Sequence, residues 1–198
     1  ESLGKEGKGV LPVVGEPVGA PTAYGEDRLF VYLAVKGDRT HEAAVRALDR
    51  AGQPVVRLTL GDRYDLGRQF FIWELATAVV GYLLGVNPFD QPNVESAKVR
   101  AREMVAAYAE RGSLPEEKPA LVAEGVAVYG DVTARGLDEA LRGFLAMGQA
   151  SSYVSVQAYI QPILATDQAL QALRLAIRDR SKLAATVGHG PRSLHSPR

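Results

Sequence analysis

A strand–helix–strand alternation between Leu29 and Leu60 constrains the fold of this chain most. Leu29–Val35, LFVYLAV, is a continuous apolar run with β-branched and aromatic members. That pattern predicts a strand covered on both faces. Pro54–Leu60, PVVRLTL, is a second strand. Between them His41–Ala51 reads as a helix closed by Gly52. Asp38-Arg39-Thr40 supplies an N-cap, but Ala43 rather than glutamate follows three residues after Thr40, so the capping box is incomplete. Crossovers of this kind build parallel sheet, and the chain is expected to be α/β.

The alternation continues. Leu66–Leu84 reads as a long apolar helix ended by Gly85. A turn carrying Pro88 follows, with Asp90 as the expected N-cap and Pro92 in the first turn of the next helix. That helix runs to about Ala109, with an apolar stripe of Val94, Ala97, Ala101, Met104, Val105 and Tyr108. Ser113–Lys118, SLPEEK, has linker composition and divides residues 1–112 from an α/β extension over 113–198. In the extension Ala120–Tyr129 reads as a strand region, Leu137–Met147 as a helix, Tyr153–Ile160 as a strand and Thr166–Arg178 as a helix. Leu183–Val187 reads as a last strand, and the tail from Gly188 is expected to fray. Near the start, Val10–Val14 suggests one brief strand.

Composition narrows the function classes. Lys+Arg and Asp+Glu both number 23, so the chain carries no net charge. It therefore lacks the electrostatic footprint of a duplex or acidic-membrane binder. The absence of cysteine removes disulfides and thiolate metal sites. His41, His189 and His195 are scattered without helical ligand spacing, so no metal site is expected. The longest apolar stretch, Phe70–Leu84, contains Glu74. It falls short of the ~20 residues of a membrane helix and reads as a buried core helix. No secretory signal is visible, which predicts a cytoplasmic protein. The first residue is Glu1 rather than Met, as expected of a processed chain or a piece of a longer one.

Three residues invite chemistry. Lys98 lies at the edge of the apolar stripe, where a lysine ordinarily buries its stem and keeps its ammonium wet. Glu74, inside the apolar helix, needs a hydrogen-bond or ion-pair partner, for which Arg68 is available if another element brings it close. His41 reads as a solvated histidine at a helix start.

The run Gly81–Lys98, GYLLGVNPFDQPNVESAK, resembles the signature of the glucose-6-phosphate isomerase family. Gly81, Leu83, Leu84, Phe89, Asp90, Gln91, Val94, Glu95 and Lys98 fill the family positions in order, and Asn93 stands where the family usually has glycine. The opening Glu1-Ser2-Leu3-Gly4-Lys5 resembles the family's E-S-x-G-K segment. The resemblance implies a sugar-isomerase (SIS) fold, a doubly wound, mostly parallel sheet flanked by helices. It implies Glu1 as catalytic base, Lys98 as ring-opening and electrostatic partner, and Gln91 near the sugar phosphate substrate. It implies neither metal nor organic cofactor, and a homodimer. The family's Ser/Thr-rich phosphate loop belongs to an earlier domain and nothing in 1–198 resembles it, so the rest of a parent chain is expected to supply it. The tail Gly190–Ser196 and the long extension resemble isomerases fused to a transaldolase. Two alternatives stay open: a non-catalytic sugar-phosphate-binding SIS module, and a structural domain of such a fusion.

Overall fold

The computed structural model describes residues 3–90, 92–149 and 151–190. Strand β1 (Phe30–Val35) pairs in parallel with β2 (Val55–Leu60), Phe30 opposite Val55 and Val35 opposite Leu60. Helix α1 (Glu42–Arg50) is the crossover, and it buries Val45 and Leu48. The expected two-sided cover of β1 is not observed. Its residues alternate between half-buried and exposed, with Val31, Leu33 and Val35 on the open face. A two-stranded sheet with one crossover helix has cover for only one face.

Helix α2 spans Leu66–Leu84 and ends at Gly85, whose φ of 68° makes it a left-handed cap. α3 spans Pro92–Arg111, and Gly112 closes it at φ 72°. The expectation of a buried core helix at 70–84 is corrected. Only Gln69 and Gly81 of α2 are buried among the described residues, while Phe70, Phe71, Trp73, Leu75 and Tyr82 are exposed. A helix apolar all round has the composition of a core element, so this much exposure marks a surface short of neighbours. None of the described helices is long and apolar enough to cross a membrane.

The expected strand region 120–129 is a hairpin, β3 (Leu121–Ala123) against β4 (Val126–Val128). Glu124 and Gly125 turn it with φ of 54° and 77°, the left-handed pair of a tight hairpin. Helix α4 (Leu137–Ala146) follows. β5 (Tyr153–Ala158) then pairs in parallel with β6 (Ala184–His189), connected through α5 (Leu164–Ser181). Val154, Ile177, Leu183 and Ala185 form the core of this second crossover, with Leu145 and Val156 packed against it.

The fold is thus mixed α/β, with two parallel pairs and one antiparallel hairpin. Among the described residues the strands form three separate two-stranded sheets, where one continuous sheet was expected. Two further expectations change. Val10–Val14 forms no strand, because no neighbouring backbone pairs with it, and Val10 and Val14 are exposed. The tail does not fray at Gly188, since Gln157 and Ala158 hold Gly188 and His189 in the β5–β6 register.

Candidate functional site

The site is built on the turn between α2 and α3. Its first support is Gly81. A Cβ there would lie 2.9 Å from Cδ and Cγ of Pro88, so the turn can fold back on α2 only over a residue without a side chain. Asn87 then shapes the turn, its Oδ1 accepting from the Phe89 N–H at 3.0 Å.

The second support comes from the chain start. Lys5-Glu6-Gly7-Lys8 is a tight turn, with Lys5 N–H donating to Lys8 O at 3.0 Å and Lys8 N–H to Lys5 O at 2.9 Å. Glu6 and Gly7 take φ of 54° and 71°. The turn aims both lysines at the α2–α3 junction. Lys8 Nζ donates to Leu84 O at 3.0 Å, satisfying a carbonyl that the end of α2 leaves free. Lys5 Nζ donates to Asp90 O at 2.6 Å, to Asp90 Oδ1 at 2.5 Å, and to Asn87 O. Those contacts use all three of its protons. The Lys5 side chain is 7% exposed. Asp90, expected from sequence as a cap, therefore has its carboxylate engaged by Lys5, and its other oxygen accepts from Asn87 Nδ2 at 3.3 Å.

Lys98 stands on the exposed surface of α3, its side chain 61% accessible. Its Nζ is 3.9 Å from Glu95 Oε2, while Arg102 reaches Glu95 Oε1 at 2.8 Å. The Arg102 hydrogen bond and charge hold the Glu95 carboxyl below its ordinary value, and Lys98 adds to the effect. The expected burial of the Lys98 stem along the stripe is not observed. What the geometry offers is a wet, weakly held ammonium that is free to turn toward an anionic group. Glu1 and Gln91 lie outside the described residues.

Beside the turn lies a shallow groove of about 340 Å³, lined by Phe70, Trp73, Glu74, Thr77, Ala78, Pro88 and Phe89. Glu74 is exposed there and does not meet Arg68. Arg68 turns instead to Thr59 O at 3.3 Å and Asp65 Oδ2 at 3.9 Å. The expected pairing fails because the two residues share one helix at a spacing that places them on different faces. His41 is exposed at the start of α1, as its position suggested. His189 Nε2 is 2.8 Å from Asp167 Oδ1 at the far end of β6, and His195 lies outside the described residues. No group of three or more His, Asp or Glu able to hold a metal occurs among the described residues.

Sequence reasoning missed a second anchor of the N-terminal segment. Glu16 lies 3.1 Å from Arg178 and 3.5 Å from Arg174, both on α5; the two arginines are buried and the Glu16 side chain is 9% exposed. Arg174 also donates to Ala185 O at 2.9 Å and Val14 O at 3.0 Å, and Arg178 to Pro17 O at 2.8 Å. Burial pulls the Arg178 guanidinium down, but its bonds to Asp179 and Glu16 outweigh this and raise it on balance. The signal was faint: two arginines one helical turn apart, flanking the short apolar run Leu175-Ala176-Ile177.

Comparison with known proteins adds a local likeness. The chain is 43% identical over 63 residues to a glucose-6-phosphate isomerase of Lactobacillus helveticus, covering 31% of this chain and 14% of that protein. It is 53% identical over 60 residues to one of Heliobacterium modesticaldum, covering 30% and 12%. With one of Limosilactobacillus reuteri it shares 39% identity over 77 residues, covering 38% and 16%. No family model and no solved structure matches the chain. The likeness is therefore to glucose-6-phosphate isomerases over about a third of this chain, and it spans only a small part of the length of those curated relatives.

Proposed function

We propose that this chain is part of a glucose-6-phosphate isomerase, the part that carries its base and its lysine. The reaction interconverts glucose 6-phosphate and fructose 6-phosphate. In the open-chain aldose the Glu1 carboxylate removes the C2 proton, the electron pair forms the C1–C2 double bond of a cis-enediol, and the carbonyl oxygen gains a proton. Glu1 then returns its proton to C1, the O2 hydroxyl gives up a proton that replaces the one taken up at O1, and the ketose results. Lys98 assists ring opening and offsets negative charge developing on the sugar oxygens. Gln91 binds the substrate. All of this is chemistry of side chains, with no step assigned to a metal or organic cofactor.

One observation carries the reading. The segment bearing Glu1 is attached, through Lys5, to the turn that leads into α3 and Lys98. A base and an electrostatic partner acting on one hexose must share one region, and this attachment supports that reading. The local likeness to glucose-6-phosphate isomerases supports the same chemistry. In this reading the fold is of SIS type, residues 1–112 belong to the second isomerase domain, and 113–198 are an extension like that of transaldolase fusions. The phosphate grip comes from sequence outside 1–198, and the working protein is a cytoplasmic homodimer.

A coupled assay of fructose 6-phosphate conversion tests the proposal. It is run on this chain and on a hybrid in which the chain replaces the Heliobacterium modesticaldum isomerase from that protein's own E-S-x-G-K segment onward. The expected result is little turnover by the chain alone, clear turnover by the hybrid, and loss of that turnover on Lys98→Ala. A folded hybrid that works equally well with alanine at that position overturns the assignment.

A further inference from the structure

We infer that Lys5 is a positioning residue for the proposed isomerase site, an ammonium latch that fixes the Glu1 segment to the turn opening α3. The inference rests on the isomerase reading for its chemical meaning, but the latch itself rests on geometry. Lys5 Nζ is surrounded by three oxygens from two residues of that turn, Asn87 O, Asp90 O and Asp90 Oδ1. A buried ammonium is tolerated when its donors are satisfied and a counter-charge is present, and both conditions hold here. The acceptors converge on a single nitrogen. A guanidinium spreads its protons over a plane, so arginine does not reproduce the contact.

The latch is stiffened on its own side. The tight turn at Lys5–Lys8 fixes the backbone behind the ammonium, and Lys8 holds Leu84 O at 3.0 Å as a second contact. Farther along, Glu16 ties the same segment to Arg174 and Arg178 of α5. Glu1 is four residues ahead of Lys5 in the sequence, so the latch bears on the backbone that carries it. A proton-transferring carboxylate must be held to within a fraction of an ångström of its carbon, and losing that hold costs about a hundredfold in rate. Lys5 touches no substrate atom in this scheme. It acts through the backbone that carries the base.

The absence of cysteine makes the test direct. Nitroxide labels are placed through Leu3→Cys and Ser96→Cys, and the distance between them is measured by pulsed electron resonance. The latch predicts one narrow distance distribution in the otherwise unaltered chain. Lys5→Met is expected to broaden it several-fold. Asp90→Asn, which keeps both backbone acceptors, is expected to broaden it less, and it serves where Lys5→Met does not fold. Equal widths in all three, with circular dichroism confirming folded chains, overturn the latch.

A second readout separates positioning from mere stability. In the hybrid isomerase, Lys5→Met should lower kcat about a hundredfold while KM stays within about twofold. Lys5→Arg should fail to restore kcat. A variant with a lowered melting temperature but unchanged kcat removes the positioning role. If no hybrid shows turnover, the isomerase reading fails, while the distance measurement still decides whether the latch exists.

Discussion

Pro88 closes over Gly81, with its Cδ and Cγ 2.9 Å from where a Cβ would stand and the Val86 carbonyl oxygen 3.2 Å away. The contact explains why a small residue is needed in the last turn of α2. The proline ring is rigid and cannot swing aside, so the clash must be absorbed by backbone. Gly81→Ala is expected to destabilise the chain by about 1–3 kcal/mol, the usual cost of overpacking. That value is set against the gain in helix propensity that alanine would otherwise bring. Urea titration checks it: a midpoint equal to or above that of the parent chain would mean that the turn does not pack on Gly81.

Glu16 is the only carboxylate facing both Arg174 and Arg178 among the described residues, and the three side chains are no more than 9% exposed. Removing it leaves two guanidinium groups buried with less counter-charge. Breaking a buried pair from one side costs about 3–5 kcal/mol. Glu16→Ala should fall near the lower end, because Asp179 and the carbonyls of Val14, Pro17 and Ala185 still accept from the arginines. Hydrogen exchange should also quicken across residues 14–19 before it quickens in β5 or β6. Uniform change in both regions would show that Glu16 does not hold the segment on α5.

These two contacts differ in how far sequence could reveal them. The bounds of α2 were legible, because an apolar run ended by glycine leaves little choice. The parallel pairing of β1 with β2 followed from their crossover helix, and the strand–helix–strand order that pairs β5 with β6 was legible as well. The hairpin at 121–128 was read as one strand region, although Glu124-Gly125 is the same Glu-Gly pair that turns the chain at Glu6-Gly7. The Lys5–Asp90 and Glu16–Arg178 contacts could not be read, since each joins residues far apart along the chain. Spacing rules report local periodicity and are blind to such pairs. The exposure of α2 was missed for a related reason. Apolar composition shows that a helix should be covered, but it does not identify what covers it.

Two exposed carboxylates set an acid limb on stability. The Asp38 carboxyl is held below its ordinary 3.8 by the Thr40 hydroxyl and then by the Thr40 N–H. Glu95 is held below its ordinary 4.5 by the Arg102 hydrogen bond and charge. In both, the folded state binds fewer protons than the unfolded one, so stability is full above the ordinary value and is lost as pH falls through the depressed one. Unfolding by urea at stepped pH should show Glu95 contributing to a decline that begins near 4.5, with Asp38 following below 3.8. Glu95→Gln together with Asp38→Asn should flatten that part of the curve. An unchanged slope would assign the acid sensitivity elsewhere. Added salt should shrink the Glu95 part, since its partners are exposed.

Lys98 allows stability and activity to be separated. Its side chain is 61% exposed, and its one ionic neighbour among the described residues, Glu95, is 3.9 Å away and already bonded to Arg102. Nothing in the described structure depends on it, so Lys98→Ala should change unfolding free energy by no more than about 0.5 kcal/mol. If the ammonium faces an oxygen that gains charge in the transition state, the same change should lower kcat of the hybrid isomerase about 100- to 1000-fold. Lys98→Arg should recover little, because a planar guanidinium presents its protons differently from a compact ammonium. Calorimetry and the coupled assay on the same samples give both quantities. A fall in melting temperature with preserved kcat would reverse the assignment, making Lys98 a structural residue of α3. A fall in kcat with preserved melting temperature is what a residue held so loosely in the unliganded chain must show if its partner is the substrate.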